Sequence, residues 1–164
     1  MSTTTITVGD KVPSVKIKIA GESGGGEETS TNTFFANKRV VVFGVPGAFT
    51  PTCSAKHLPG FVEKAEELRA KGADVVACVS VNDAFVMGAW GRENKAFGKV
   101  VFLADGNADF VRALGLELDL TANVMGVRSK RFLAVFDNGV CTSVDVEQPG
   151  KFEVSSAEAA LKRL

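Results

Sequence analysis

Alternating apolar and polar residues predict the first strand of the chain. Val15, Ile17 and Ile19 alternate with lysines inside residues 12–19, which is the period of a half-buried strand. The next ten residues, 21–30, are glycine, serine, threonine and glutamate, with no apolar residue among them. This composition predicts a flexible surface loop that is too short to link two domains.

Continuous apolar runs followed by helical patterns predict a layered α/β arrangement. Three runs have the character of strands buried on both faces: residues 40–45, 75–81 and 100–103. Helical patterns follow them at residues 61–71, 83–97 and 109–114. We expect Asn82 or Asp83 to cap the second of these helices. The β-α-β-α-β-α order predicts a sheet with mostly parallel strands.

The last third of the chain predicts an antiparallel extension of this sheet and a final helix. Asn138-Gly139 separates two apolar runs and is a strong signal for a two-residue hairpin turn. Ser155 and Glu158 have the spacing of a capping box, so a helix is expected after Ser155. The 164 residues therefore predict one domain, residues 1–164, with a mixed central sheet flanked by helices.

Composition and charge narrow the function classes. Lys and Arg total 19, as do Asp and Glu, so no excess positive charge favours nucleic acid or an anionic membrane. No run of about 18 apolar residues predicts a membrane span. Residues 1–8 lack a signal or transit pattern, so we expect a cytoplasmic protein and leave an organellar mature form open. Three cysteines favour cysteine chemistry in a reducing compartment over a disulfide scaffold.

The candidate chemistry lies between the first buried strand and the next helix. Thr50-Pro51 is a favourable helix start, which places Cys53 in the first turn. Unpaired backbone N–H groups and the positive end of the helix dipole favour a thiolate there. Pro59 is expected to kink the helix and leave the turn of Cys53 semi-independent. From position alone, a reactive thiol and a small buried hydrophobe both remain open.

Pro46, Thr50 and Cys53 match the Pro-x-x-x-Thr-x-x-Cys signature of peroxiredoxins. The surrounding residues 44–61 resemble the type II, or peroxiredoxin-5-like, subgroup, and the resemblance extends over nearly the whole chain from about Val8. It implies an α/β thioredoxin-like fold with an added N-terminal hairpin. It also implies a thiol-dependent peroxidase that reduces hydrogen peroxide and organic hydroperoxides without a metal or other cofactor.

The resemblance implies a role for each matching residue. Cys53 would be the peroxidatic nucleophile, which becomes a sulfenic acid, and the Thr50 hydroxyl would bond thiolate and peroxide. Pro46 would shield the pocket. Arg131 matches the arginine that lies beside the sulfur. Arg92 matches an arginine that contacts the residues around the sulfur but not the sulfur itself. A guanidinium near the sulfur favours the charged thiolate and stabilises charge on the peroxide oxygens.

Two neighbouring residues leave alternatives open. Arg128, three positions before Arg131, is the competing candidate for the arginine at the sulfur. The single histidine, His57, is interpreted as structural or pocket-lining. Ligation of a metal by Cys53 and His57 lacks a second closely spaced pair of ligands.

Regeneration of the sulfenic acid is predicted to need an external thiol, either glutathione with glutaredoxin, or thioredoxin. Cys78 stands where plant-type members of the subgroup have their second cysteine, but its apolar strand favours core packing. A Cys53–Cys78 disulfide is the secondary possibility. Cys141 follows the predicted hairpin turn, so we expect it to be more exposed, and it matches no family role.

Phe49 and Phe85 match the dimer-contact region of the subgroup, which predicts a homodimer. Two other functions are alternatives. A thioredoxin-type disulfide oxidoreductase would need Cys-x-x-Cys, and Cys53-Ser-Ala-Lys56 lacks the second sulfur. A non-enzymatic holdase or binding module would use the chain's 12 phenylalanines as an interaction surface.

Overall fold

The computed structural model describes residues 5–164, so the N-terminal segment considered for targeting lies partly outside it. Its strands are β1 (Lys16–Ala20), β2 (Gly26–Ser30), β3 (Arg39–Gly44), β4 (Val75–Ser80), β5 (Val101–Ala104), β6 (Glu117–Asp119), β7 (Val127–Ser129), β8 (Phe132–Asp137) and β9 (Val140–Val146). Its α-helices are α1 (Thr31–Phe35), α2 (Leu58–Ala70), α3 (Ala84–Glu93), α4 (Asp109–Leu114) and α5 (Ala157–Arg163). A π-helical turn, Cys53–His57, runs directly into α2, and a short 3-10 turn covers Thr121–Asn123.

Seven strands form a mixed central sheet in the order β2-β1-β5-β4-β3-β8-β9. The strands β3, β4 and β5 are parallel, as the alternating order of strands and helices predicted. Antiparallel β8 and β9 extend the sheet beyond β3, and antiparallel β1 extends it beyond β5. β6 and β7 pair separately. The predicted mixed sheet flanked by helices is confirmed.

The central strand β3 is apolar after Arg39 because both of its faces are covered. Val41 and Phe43 point into the core layer under α2, α3 and α5, where Phe61 and Trp90 are also buried. Val40 and Val42 point into the opposite core layer, with Phe35 of α1 and Phe110 of α4. Cys53 belongs to the first of these layers. The sheet therefore separates two cores, and the candidate nucleophile is packed against only one of them.

The predicted hairpin between β8 and β9 is present. Asn138 and Gly139 have φ angles of 49° and 77°, the left-handed pair that a tight two-residue turn requires. The predicted loop over residues 21–30 is wrong in its second half, because Gly26–Ser30 forms β2 and pairs with β1. A mostly exposed edge strand is held by backbone hydrogen bonds and needs no apolar alternation. The resemblance had implied this N-terminal hairpin.

Two helix ends differ from the predictions. Asp83 caps α3 as expected, accepting a hydrogen bond from Val86 N at 2.8 Å, but the helix ends at Glu93 and not at residue 97. The last helix is capped by Ser156, which accepts from Ala159 N at 3.1 Å. Ser155, the predicted cap, is buried and uses its hydroxyl for another partner. No helix in the described part of the chain is long and apolar enough to cross a membrane.

Candidate active site

The site forms where β3 ends and β8 begins. Gly44 and Phe132 are register partners in these antiparallel strands. A Cβ atom on Gly44 would lie 2.1 Å from the Phe132 ring, so only glycine lets the ring pack there. Arg131 directly precedes Phe132, and the loop that leads to Cys53 directly follows Gly44. The sheet register thus brings two segments that are far apart in sequence to one place.

Cys53 begins the π-helical turn, whose backbone widens before Pro59. Ser54 N donates to Thr50 O at 2.9 Å, and Leu58 N donates back to Cys53 O, five residues earlier. Pro59 has no N–H to donate, so the regular α-helical pattern cannot continue unbroken through this turn. The helix start predicted for Cys53 is present, but it is joined to α2 without a break and differs from it in winding.

Arg131 connects the sulfur to the histidine. Its Nη2 donates to Cys53 Sγ at 3.1 Å, and its Nη1 lies 2.8 Å from His57 Nδ1. Burial and the positive charge of Arg131 lower the pKa of His57 to about 3, so the imidazole is neutral at physiological pH. His57 Nε2 therefore donates to the Ser155 carbonyl, at 2.8 Å, and Nδ1 accepts from Arg131.

His57 was predicted to be structural or pocket-lining, and its contact with Arg131 shows which side chain it supports. It holds the guanidinium that touches the sulfur. The sequence contained a signal for this arrangement, because residues four apart in a helix share a face. That spacing was considered only for metal ligation, and no group of three or more potential metal ligands is present among residues 5–164.

Asn82 anchors the loop before Cys53 near the start of that loop, at Ala48. Asn82 Oδ1 accepts from Ala48 N at 3.0 Å and from Ser80 Oγ at 2.6 Å. Thr50 Oγ1 donates to Gly47 O at 2.7 Å. Asn82 was predicted only as a possible helix cap. Its position after β4, beside the end of β3, was the available signal, since parallel strands carry their sites at the carboxyl end.

A cavity of about 600 Å³ opens beside the site, and its walls include Pro46, Thr52 and Arg131. The segment 146–153 forms another wall. Cys53 itself is 0% exposed. A small molecule in the cavity therefore lies beside Arg131, whose guanidinium contacts both the sulfur and His57.

The other two arginines considered from the sequence donate to backbone carbonyls and not to the sulfur, although Arg128 Nη1 lies near Gly47, in the loop before Cys53. Arg128 Nε donates to Met125 O at 2.9 Å. Arg92 Nη1 donates to Glu22 O, in the turn between β1 and β2, at 3.0 Å. Among the described residues, Arg131 alone donates a hydrogen bond to the Cys53 sulfur.

The remaining cysteines are buried thiols. Cys78 lies in β4, in the same core layer as Cys53, and burial, with a smaller effect of the charge of Cys53, raises its pKa well above the ordinary value. Cys141 is 1% exposed and lies in the opposite core layer, where burial raises its pKa. The expectation that Cys141 is exposed is wrong, because its side chain points inward from β9. All three cysteines are free thiols.

Two of the large exposed apolar side chains are those predicted for a dimer contact. Phe49, in the loop before Cys53, is 52% exposed and has a φ angle of 64°. Phe85, at the start of α3, is 70% exposed. A phenylalanine in the left-handed region is strained, and the strain is borne next to the candidate nucleophile.

A buried cysteine at a helix start, held by a guanidinium on a mixed α/β sheet, defines a cysteine-dependent redox site on a thioredoxin-like fold. The Redoxin family model matches residues 7–161. Peroxiredoxin-2D of Arabidopsis thaliana is 50% identical over 159 residues, covering 97% of this chain and 98% of that protein. The chloroplastic Peroxiredoxin-2E of the same plant is 49% identical, covering 99% and 70%.

Solved peroxiredoxin structures are similar over nearly the whole chain. Reduced Prx3 of Vibrio vulnificus, crystallised in complex with hydrogen peroxide, is 48% identical, with a TM-score of 0.90 over 96% of this chain and 94% of that one. The chain belongs to the peroxiredoxin family, in its type II subgroup. It is a thiol-dependent peroxidase, and the predicted family, fold and activity are confirmed.

Proposed function

We propose that Cys53 is the nucleophile of this peroxidase and that Arg131 activates it. The observation that carries the proposal is the 3.1 Å hydrogen bond from Arg131 Nη2 to Cys53 Sγ. A charged donor stabilises a thiolate more than a thiol, and the start of a helix adds a favourable dipole. Arg131, and not Arg128, is the arginine of the reaction in this proposal.

The reaction is a two-electron transfer from sulfur to peroxide. The Cys53 thiolate attacks one peroxide oxygen, so that an S–O bond forms as the O–O bond breaks. The second oxygen leaves with the bonding electron pair, takes up a proton and departs as water or an alcohol. Cys53 is left as a sulfenic acid. Arg131 faces the oxygen on which charge develops, and His57, with both nitrogens engaged, is not the base.

Thr50 and Pro46 complete the pocket in this proposal. The Thr50 hydroxyl donates its proton to Gly47 O and not to the Cys53 sulfur as predicted, so its lone pairs are available to accept a hydrogen bond from the peroxide. Pro46 forms part of the cavity wall and offers no N–H group to compete for the substrate. Arg92 has a supporting place, since it ties the turn after β1 to α3.

We also propose that an external thiol reduces the sulfenic acid, either glutathione with glutaredoxin, or thioredoxin. The first thiol condenses with the sulfenic acid and releases water, and a second thiol then reduces the mixed disulfide. The burial of Cys78 and its raised pKa support this route, because an internal disulfide needs a thiolate and local unwinding. Such a cycle requires a reducing compartment, for which the cytoplasm is our proposal.

Phe49 and Phe85 are proposed to lie in a homodimer interface. Their exposure, 52% and 70%, is high for phenylalanine, and one of them sits in the loop that leads to Cys53. A partner that covers Phe49 would stabilise this loop and compensate for its strained backbone.

The test follows peroxide consumption with a dithiol donor in three single variants. Cys53→Ser is expected to abolish turnover, whereas Cys78→Ser and Cys141→Ser retain it. Non-reducing mass mapping after one equivalent of peroxide then separates the two reductive routes. A dominant Cys53–Cys78 disulfide would contradict external reduction, and turnover by Cys53→Ser would contradict the assignment of the nucleophile.

A further inference from the structure

Glu147, the residue directly after β9, holds together a segment of the chain that surrounds the site. Its carboxylate oxygen Oε2 accepts hydrogen bonds from the backbone N–H groups of Glu153, Val154 and Ser155, at 2.7, 2.8 and 2.9 Å. The hydroxyl of Ser155 donates to the same oxygen at 2.7 Å. One buried atom thus determines the course of residues 148–155.

The carboxylate is buried without a cation. Glu147 is 7% exposed, and no lysine or arginine among the described residues forms an ion pair with it. Burial alone would raise its pKa, but the four hydrogen bonds outweigh burial and lower it. A buried charge is costly unless donors surround it, so this segment is folded around the carboxylate.

The segment held by Glu147 ends at the partner of His57. The Ser155 carbonyl accepts from His57 Nε2 at 2.8 Å, which leaves Nδ1 as an acceptor. Nδ1 receives Arg131 Nη1 at 2.8 Å, and Arg131 Nη2 reaches Cys53 Sγ at 3.1 Å. In this series each hydrogen bond orients the side chain that makes the next one.

Residue 147 and the segment it holds also contact Arg131 and His57 directly. Glu147 N donates to Arg131 O at 2.9 Å, so the backbones of the two residues are joined. The Phe152 ring, inside the held segment, lies 4.9 Å from the His57 ring and 6.0 Å from the Arg131 guanidinium. The segment anchored by Glu147 therefore packs the Phe152 ring beside both His57 and Arg131.

We propose that Glu147 is a positioning residue for the peroxide reaction: by fixing the Ser155 carbonyl it orients His57, and through His57 it directs the Arg131 guanidinium at the Cys53 sulfur. This inference rests on the proposed roles of Cys53 and Arg131. Without the carboxylate the Ser155 carbonyl is free to turn away, and His57 loses the partner that sets its tautomer. Arg131 then occupies several orientations, of which only some stabilise the thiolate.

The test compares Glu147→Gln with Glu158→Gln. Glutamine has nearly the shape of glutamate, but it carries no charge. Its amide N–H groups would also face the four donors that bond to the carboxylate. Glu158 is exposed in the first turn of α5 and provides the same change of charge outside the series of contacts. Trp90, the single tryptophan, donates to Ser54 Oγ at 3.0 Å, next to Cys53, so its fluorescence is a probe of Cys53 oxidation.

Stopped-flow oxidation by hydrogen peroxide is expected to slow about tenfold in Glu147→Gln, because the guanidinium is misaimed. Glu158→Gln stays within about twofold of the unmodified protein. Glu147→Asp, which keeps the charge, is expected to recover most of the rate and covers the case in which Glu147→Gln folds poorly. Thermal unfolding of each variant is measured in the same buffer.

A double-mutant cycle distinguishes positioning from a general loss of stability. If Glu147 acts through His57, Glu147→Gln costs little further rate in a His57→Asn background. The inference is overturned by a folded Glu147→Gln protein that oxidises at the unmodified rate, or by losses that add in full. An unmodified protein inert to hydrogen peroxide, or a reactive Cys53→Ser, overturns instead the proposed role of Cys53.

Discussion

Cys53 and Cys78 lie in the same core layer, both fully buried, yet their surroundings differ. Cys53 begins a helical turn and receives a hydrogen bond from a guanidinium. Cys78 lies in the middle of a strand, paired with Phe43, and burial raises its pKa well above the ordinary value. Burial is common to both, so it does not decide which thiol reacts. In the proposed reaction the charged donor and the helix start stabilise the thiolate of Cys53, and the strand around Cys78 provides neither.

The largest expected effect comes from removing the guanidinium that distinguishes Cys53. Arg131→Gln should slow oxidation by hydrogen peroxide by about a hundredfold to a thousandfold, because one preorganised donor to the reacting atoms is lost. Arg128→Gln is the matched control, since its guanidinium also lies near the loop before Cys53 but donates to Met125 O and not to the sulfur. Stopped-flow Trp90 fluorescence measures both. Equal rates in the two variants would remove the basis of the comparison.

Alkylation tests the two thiols directly. In the folded protein at neutral pH, iodoacetamide should label Cys78 about a hundredfold more slowly than Cys53, since the thiol of Cys78 is buried and its raised pKa leaves little thiolate. Peptide mass spectrometry at timed intervals gives both rates. Comparable labelling of the two residues before unfolding would contradict this prediction.

Gly44 lies in β3, which pairs on one side with β4, the strand of Cys78, and on the other with β8, the strand that follows Arg131. Gly44→Ala is expected to cost about 2 kcal/mol in the free energy of unfolding, since the added Cβ overlaps the fully buried Phe132 ring. Gly60→Ala is the control, because its Cβ meets only Ala157 Cβ, at 3.9 Å. Urea unfolding measures both. A neutral Gly44→Ala would show that the strand junction is not tightly packed.

The smallest expected effect is a pH dependence of stability from Glu147. Its pKa is lower in the folded protein than its ordinary value of 4.5, because the hydrogen bonds outweigh burial. Its contribution to stability is therefore complete above pH 4.5 and is lost as the pH falls through the folded pKa. Urea midpoints taken from neutral pH down to about pH 3 should fall less steeply in Glu147→Gln. Parallel curves for the two proteins would contradict the prediction.

Much of the site that is local in sequence was predictable. The helix start at Thr50-Pro51 placed Cys53 in a first turn, and Asn138-Gly139 marked the hairpin that orders β8 and β9. Asp83, one of the two predicted caps, is the residue that caps α3. Each of these depends on the conformations of a few adjacent residues, which the residue types themselves restrict.

The parts of the site that the sequence could not predict depend on contacts between distant segments. The resemblance to the family nominated Arg131, 78 positions from Cys53, but only the register of β3 and β8 shows what brings the two together. Ser155 has the spacing of a helix cap, and a buried carboxylate took its hydroxyl instead. Local propensity determined the central strands, the turn at Asn138-Gly139 and the helix start before Cys53. Tertiary packing decided which polar groups were buried together, because that depends on the whole sheet and not on neighbours along the chain.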